Sequence, residues 1–179
     1  MKTLETDRLI LWAWQETDAY DMFEYATDER VGPSAGWPVH ENIETSKRIV
    51  DNFIKDNDVY AIVLKPANKV IGSLGLHDRR PDKSLENLNQ REVGYVLNPK
   101  YWGQGIVPEA VKRVIKHGFK DLDLDLIWCA HFSFNEKSKR VIEKCGFNYR
   151  FSRNQTHPLT GKEYEHLFYN ITKEEYFSS

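Results

Sequence analysis

The sequence predicts a mixed α/β fold in which a mostly antiparallel sheet carries helices on both faces. Apolar residues alternate with polar ones along several short stretches, as they do in half-buried strands. In two longer stretches, residues 42–55 and 106–119, apolar residues recur at the spacing of amphipathic helices. A turn with two glycines, Gly103 and Gly105, leads from a strand at residues 91–97 into the second of these helices.

The composition indicates one domain over residues 1–179. The chain is 40% hydrophobic and 29% charged, which suits a compact domain with a sizeable core. A net charge of −2 gives no basic footprint, so we expect no nucleic-acid partner. No apolar run approaches the ~18 residues of a membrane span, and the start lacks a signal-peptide core. We therefore expect no membrane association and a cytoplasmic protein.

The first third of the chain predicts a strand, a helix and a loop. Residues 6–14 form an apolar strand, and residues 20–26 form a helix. Residues 30–40 contain two glycines and two prolines, which indicates a loop without a regular element. Its Trp37 and His40 are candidate substrate-binding residues, because a loop that carries an aromatic often forms a wall of a binding site. Alternatively, Trp37 packs at the edge of the core.

The middle of the chain predicts a helix, a hairpin and a charged loop. Residues 42–55 form the helix, and residues 59–64 and 70–77 pair as antiparallel strands. The loop at residues 78–90 is polar and charged, as a solvated rim is.

The glycine turn that follows residue 97 predicts an anion site. Backbone N–H groups at a helix N-terminus have no intrahelical partner, and the helix dipole adds positive charge behind them. We expect a phosphate to bind the backbone of this turn, which consists of Gly103, Gln104, Gly105, Ile106 and Val107. The chain has no Walker A loop, and Pro108 stands where a dinucleotide fingerprint needs its third glycine.

The last third predicts three strands and a short helix. Residues 125–131 form a strand, and Asn135 caps a helix that stops at Gly146. Residues 147–153 and 164–171 alternate as two further strands. Cys129 and Cys145 lie apart without a CxxC or a histidine cluster, so we predict neither a disulfide nor a metal site.

Three stretches of the sequence resemble the GNAT superfamily of N-acetyltransferases, which transfer an acetyl group from acetyl-CoA to an amine. The opening residues resemble the start of a subgroup that includes the ribosomal-protein N-terminal alanine acetyltransferases, and they are ETDRLIL. Residues 92–111 resemble the acetyl-CoA motif, EVGYVLNPKYWGQGIVPEAV. Residues 135–147 resemble the segment after the fifth strand, NEKSKRVIEKCGF. The resemblance implies one N-acetyltransferase domain whose seven-stranded sheet is splayed at the fourth strand.

The same resemblance implies how acetyl-CoA is bound as the cosubstrate. Residues 103–107 take the pyrophosphate, although Trp102 and Val107 depart from the family's polar and small residues. The backbone of Val96 and Leu97 pairs with the pantetheine amides. Asn135 and Ser138 approach the pantetheine arm, and the Ser138 hydroxyl is a candidate hydrogen-bond donor to the CoA sulfur. In many members a tyrosine from this helix supplies a proton, but Ile142 stands at that position.

Two residues are candidates for the general base. Glu92 matches a carboxylate position to which the resemblance assigns this role, and its alternative is a solvated strand-end carboxylate or an ion pair with Arg91. His157 is the rival, since an imidazole with a pKa near 6.5 suits proton transfer. Its alternative is an ordinary surface histidine in a turn.

The acceptor is predicted as a primary amine, and resemblance favours a protein N-terminus. An α-amine with a pKa of about 8 is roughly one-tenth neutral at pH 7, so it needs only a weak base. A small-molecule amine such as a polyamine or an aminoglycoside is the alternative acceptor. An acyl-CoA-binding sensor without turnover is the alternative function, and both monomer and homodimer stay open.

Overall fold

The chain passes alternately through two units of structure. The protein is described by a computed structural model over residues 1–178, so Ser179, the last residue of the predicted domain, lies outside the described residues. Unit 1 comprises Met1–Gly75 and Tyr95–Ala110. Unit 2 comprises Leu76–Gly94 and the chain from Val111 onwards. Two strands and one helix therefore contribute residues to both units.

Unit 1 begins with an antiparallel meander. Its strands are β1 (Leu4–Glu5), β2 (Leu9–Ala13), β3 (Val59–Leu64) and β4 (Lys69–His77). The predicted first strand, residues 6–14, begins only at Leu9 as β2, because the Thr6 hydroxyl accepts a hydrogen bond from the Leu9 N–H group at 2.9 Å in a turn that folds the chain back. This turn creates β1, so the sheet gains a short strand that the sequence did not predict.

Three helices of unit 1 follow β2 in the chain. They are α1 (Ala19–Ala26), α2 (Gly32–Ala35) and α3 (Ile43–Asp56). The prediction of a loop without regular structure at residues 30–40 is wrong for α2, where Pro33 lies in the first turn and Gly36 ends the helix at φ 92°. Pro is tolerated there because its missing N–H donor has no intrahelical partner. Asn42 caps α3 by accepting a hydrogen bond from the Thr45 N–H group.

β5 (Gln90–Leu97) and α4 (Ile106–Lys120) carry the predicted acetyl-CoA motif. β5 pairs in parallel with β6 (Leu126–Phe132) over four residue pairs, from Gln90↔Leu126 to Val93↔Cys129. Beyond these pairs β5 runs on to Leu97 and β6 to Phe132. Pairing with β6 is thus confined to the first half of β5, the strand at which the splay was predicted.

The rest of unit 2 is built from two antiparallel strands and two helices. β8 (Glu163–Thr172) pairs with β6 on one side and with β7 (Asn148–Thr156) on the other. α5 (Glu136–Lys144) connects β6 to β7, and α6 (Lys173–Ser178) follows β8. α6 was not predicted from the sequence.

The strand order confirms the predicted mixed, mostly antiparallel fold. It is β1-β2-β3-β4-β5 in unit 1 and β4-β5-β6-β8-β7 in unit 2, since both units share β4 and β5. The sheet has eight strands rather than the seven predicted, and the additional one is the two-residue β1. Within residues 1–178, no helix has the length and apolar character that a bilayer crossing requires.

Candidate functional site

The glycine turn in front of α4 has the backbone of an anion site. Gly103 and Gly105 have φ values of +75° and +73°, in the left-handed region that L side chains rarely adopt. A Cβ added at Gly103 would meet nothing within 4 Å, so the turn faces open space. The first i→i−4 hydrogen bond of α4 runs from the Glu109 N–H group to the Gly105 carbonyl. The N–H groups of Ile106 and Val107 precede it and fit a phosphate ligand.

The side chains of Ile106 and Val107 are buried, so only their backbone N–H groups are candidates for binding an anion. The two residues are 2% and 7% exposed and belong to the buried core. The Val107 side chain, which departs from the small residue of the family pattern, therefore lies in the core, and only its backbone is predicted to contact a ligand. These features fit the pyrophosphate of CoA.

Arg8 lies between β1 and β2 in unit 1, and its guanidinium binds the glycine turn. Its Nη1 donates to the Gln104 carbonyl at 2.9 Å, and its Nε and Nη2 donate to the Glu109 carboxylate at 2.7 and 2.6 Å. The Glu109 carboxylate also accepts from the Thr6 hydroxyl. One guanidinium thus connects the carbonyl of the turn to the first turn of α4. This Arg belongs to the opening stretch ETDRLIL, and the sequence alone indicated no role for it.

Trp102 binds the end of β5, a contact that the sequence alone did not indicate. Its indole Nε1 donates to the Leu97 carbonyl at 2.9 Å, and the Arg30 guanidinium lies 5.5 Å from its ring centroid. The Trp that replaces the family's polar residue therefore ties the turn to the end of β5.

The two predicted pantetheine contacts on β5 face opposite edges of the strand. A Cβ built on Gly72 of β4 would lie 2.4 Å from the Val96 carbonyl oxygen, so that oxygen is directed at β4. Peptide groups alternate in direction along a strand, which turns those of Tyr95 and Leu97 to the other edge. The direction of the Val96 carbonyl does not support its predicted contact. Tyr95 is the residue that shares the edge of Leu97.

Glu24 binds the segment that immediately precedes the glycine turn. Its carboxylate accepts from the Asn98 amide at 3.1 Å and from Lys100 Nζ at 2.8 Å, and it also binds Lys69 of β4. Bonds from Lys100 and Lys69 lower the pKa of the Glu24 carboxyl to about 2. Glu24 is therefore charged over the whole physiological pH range and connects α1 to the approach of the glycine turn.

Trp37 and His40 lie together in unit 1, with ring centroids 5.3 Å apart. Trp37 is half-buried and packs against the core cluster, as its alternative interpretation expected. His40 is buried, and its Nδ1 lies 2.7 Å from the Ser46 hydroxyl. Burial and the charge of Arg48 lower the pKa of His40. These contacts account for both residues structurally, and their role in substrate binding stays a prediction.

Glu92 is a mostly buried carboxylate in unit 2. Its side chain is 12% exposed, and its Oε1 lies 3.4 Å from Nη1 of Arg79. Burial raises the pKa of the Glu92 carboxyl, and the charges of Arg79, His77 and Arg153 oppose that rise. Arg91, the predicted ion-pair partner, lies instead 3.6 Å from Asp78. A carboxylate of this kind can accept a proton from a neutral or weakly basic group.

His157 is buried in the hairpin between β7 and β8 rather than exposed in a turn. It is 2% exposed, and its ring centroid lies 5.3 Å from that of Phe132 and 6.0 Å from those of Phe134 and Tyr164. The Leu159 N–H group donates to its Nδ1 at 3.3 Å. The alternative of an ordinary surface histidine is wrong, and its role as a base stays a prediction.

α5 presents the remaining predicted residues. Asn135 caps the helix by accepting a hydrogen bond from the Ser138 N–H group at 3.1 Å, as predicted. Both residues are half-buried. Ile142 has no exposed surface, which is consistent with an apolar residue at the tyrosine position. Burial raises the pKa of the Cys145 thiol to about 11, so this thiol stays protonated at neutral pH and is a poor nucleophile.

The predicted site residues divide between the two units. Unit 1 holds Trp37, His40 and the cofactor residues from Val96 to Val107, whereas unit 2 holds Glu92, Asn135, Ser138 and His157. In the part of the chain that the structure describes, no group of three or more His, Cys, Asp or Glu side chains is placed so that it could hold a metal ion.

Comparisons with known proteins identify the family. The model of the acetyltransferase (GNAT) domain matches residues 8–148. The "uncharacterized N-acetyltransferase YoaA" of Bacillus subtilis (strain 168) is 30% identical over 176 residues, covering 95% of this chain and 96% of the relative.

Two solved structures share the fold. A GNAT-family acetyltransferase from Bacillus anthracis has a TM-score of 0.87 at 24% identity and covers 97% of this chain and 100% of its own. The ribosomal-protein-S5-alanine acetyltransferase from Vibrio fischeri has a TM-score of 0.76 at 22% identity and covers 98% of each chain. With the family model and the YoaA relative, these matches show that the chain belongs to the GNAT family and is an acetyl-CoA-dependent N-acyltransferase.

Proposed function

We propose that the protein transfers the acetyl group of acetyl-CoA to the α-amine of a protein N-terminus, with Glu92 as the general base. The observation that carries this proposal is the mostly buried Glu92 carboxylate with its raised pKa. Such a group is still a modest base. It suits an α-amine, whereas a lysine amine near pKa 10.4 is neutral in only about one in 2,500 molecules at pH 7. The fold shared with an S5-alanine acetyltransferase supports the same acceptor.

In the proposed reaction the neutral amine attacks the thioester carbonyl directly. Glu92 takes the proton that the amine loses, the carbon–sulfur bond breaks, and the sulfur leaves as a thiolate that then takes up a proton. The Ser138 hydroxyl is the candidate hydrogen-bond donor to that sulfur. The protonated Cys145 thiol supports direct attack over an acyl-enzyme intermediate. A Cys145→Ala variant should therefore retain its turnover number.

Residues of unit 1 bind the donor in this proposal. The N–H groups of Ile106 and Val107 bind the pyrophosphate behind the open turn, and Gly103 and Gly105 allow its conformation. The peptide groups of Tyr95 and Leu97, which share one edge of β5, take the pantetheine amides.

The test measures thiol release from acetyl-CoA with matched acceptors. A lysine-free peptide with a free N-terminus is compared with a blocked peptide that contains one lysine, and with a polyamine and an aminoglycoside. We expect turnover with the free N-terminus and at least about 100-fold less with the blocked lysine peptide, as the fraction of neutral amine requires. Turnover with the polyamine or aminoglycoside alone would overturn the N-terminal acceptor.

A further inference from the structure

We propose that the acceptor carries a negative charge close to its reacting amine, and that Arg79 and Arg153 of unit 2 bind this charge. The inference rests on the proposed function, in which Glu92 takes the proton of the amine. It narrows the acceptor to an α-amine followed by an acidic side chain or another carboxylate.

The strand registers place the relevant side chains on one face of the sheet in unit 2. Glu92 pairs with Trp128, and Trp128 pairs with Asn170. Directly paired residues share a face, and every second residue of a strand returns to it, so His166 lies on the same face as Asn170. Arg153 pairs with His166 and therefore also lies on the face of Glu92.

Both guanidinium groups are held near this face and are open to solvent. Arg79 is 62% exposed and lies 3.4 Å from the Glu92 carboxylate. Arg153 is exposed, its Cζ lies 4.6 Å from the Phe168 ring centroid, and its Nη1 donates to the Pro81 carbonyl at 3.3 Å. Each guanidinium carries five N–H donors, more than these contacts use. Each can therefore bind a further carboxylate.

The acidic groups nearby are directed elsewhere. Asp78 lies between Arg80 and Arg91, at 3.4 and 3.6 Å. Glu165 accepts from the Ser152 hydroxyl at 2.6 Å and lies on the opposite face of the sheet, because its neighbour His166 occupies the first face. Glu92 faces the two arginines, and it becomes neutral once it accepts the proton of the amine.

His166 does not add to the positive charge at neutral pH. Burial and the charges of Arg153, His131 and Arg79 lower its pKa to about 4. Arg79 and Arg153 therefore supply the permanent positive charges that act on Glu92 at this face. Polyamines and aminoglycosides would be repelled by these charges, whereas a carboxylate forms charge-assisted hydrogen bonds.

The experiment compares kcat/KM for peptides that differ only in the residue after an N-terminal alanine, namely aspartate, asparagine or lysine. We expect the aspartate peptide to exceed the asparagine peptide at least about tenfold, as a charge-assisted bond allows, with the lysine peptide lowest. Arg153→Gln should bring the aspartate-to-asparagine ratio close to one. The matched control is Arg150→Gln, which removes the same charge from the same strand at a side chain bound to Glu175. This control should keep the wild-type ratio.

The outcomes separate this inference from the proposed function. Equal rates for the aspartate and asparagine peptides would overturn the inference and leave the N-terminal acceptor intact. If no peptide reacts, the same comparison is made with two small α-amine acceptors, glutamic acid α-amide and glutaminamide, which differ only in the charge of the side chain. A preference for glutamic acid α-amide would then support the inference while the protein acceptor fails. Absence of turnover with every acceptor would overturn both.

Discussion

Arg8 and Glu109 lie 101 positions apart in the sequence and form a two-point ion pair, with Nε and Nη2 of Arg8 at 2.7 and 2.6 Å from Oε2 of the glutamate. The same guanidinium binds the carbonyl of Gln104 in the glycine turn. The pair therefore joins the opening motif of the chain to the motif that is predicted to bind the donor.

Arg8→Gln should weaken acetyl-CoA binding more than it weakens the fold. The Arg8 side chain is 44% exposed, so its ion pair contributes less than about 1 kcal/mol to stability. Loss of its bond to Gln104 should raise the Kd for acetyl-CoA about fivefold, which corresponds to one net hydrogen bond. Calorimetric titration with acetyl-CoA and thermal unfolding measure the two effects.

The control for Arg8→Gln is Lys47→Gln, which breaks an exposed pair with Glu44 on α3. It should leave the Kd unchanged. An unchanged Kd in Arg8→Gln as well would show that the turn holds its shape without the arginine.

Gly103→Ala should lower both stability and donor affinity. The residue has φ +75° and nothing lies within 4 Å of an added Cβ, so the substitution costs about 1–2 kcal/mol through backbone strain alone. Gly146→Ala is the matched control, because this glycine has φ +83° and equally open space at the end of α5. Both variants should lose similar stability in urea unfolding, but only Gly103→Ala should bind acetyl-CoA more weakly. Equal affinity in the two variants would contradict the assigned role of the turn.

Local signals in the sequence predicted the parts of the fold that depend on neighbouring residues. Asn135 caps its helix through the residue three positions ahead, and Gly146 has the left-handed backbone expected at the end of α5. The glycine turn was likewise predictable, because positive φ values at Gly103 and Gly105 are a property of the residues themselves.

Long-range contacts limited the prediction of the site. Arg8 and Glu24 reach the turn from 96 and 74 positions away, and no local pattern specifies such pairs. The burial of His157 depends on Phe132 and Phe134 from a different strand and loop. The direction of the Val96 carbonyl depends on which edge of β5 faces β4, and alternation of apolar residues reports the faces of a strand but not its edges.

Glu92→Gln should lower kcat about 100-fold without unfolding the protein, as expected for loss of a general base that serves a weakly basic amine. Although Glu92→Gln lowers kcat, it should not lower the free energy of unfolding. Burial raises the pKa of the Glu92 carboxyl in the folded protein, so the charged form opposes folding above that pKa. The amide should therefore be at least as stable as the wild type at pH 7.

His157→Asn tests the rival base. A larger loss of kcat in this variant than in Glu92→Gln would assign the role of general base to His157.

The pH profile of kcat should reflect the positive charges around Glu92. Activity requires the carboxylate, so it is lost as pH falls through a pKa above the ordinary glutamate value. The charges of Arg79, His77 and Arg153 oppose the effect of burial. Arg79→Gln removes one of them and should move the acidic limb to higher pH. A limb that stays in place would mean that another group titrates there.

Glu24→Gln should destabilise the protein at neutral pH, with a loss that fades in acid. Bonds from Lys100 and Lys69 lower the pKa of Glu24 from 4.5 to about 2. The stabilisation is therefore complete above the unfolded-state pKa and is lost as pH falls toward 2. We expect about 1–2 kcal/mol at pH 7, because the side chain is 30% exposed and water screens its pairs. Urea unfolding of the variant and the wild type at pH 7, 4 and 2 measures this difference.

The control is Glu44→Gln, which breaks the exposed pair with Lys47 and should change the free energy of unfolding little at any of these pH values. A loss of stability in Glu24→Gln that does not depend on pH would indicate that packing, rather than charge, causes it.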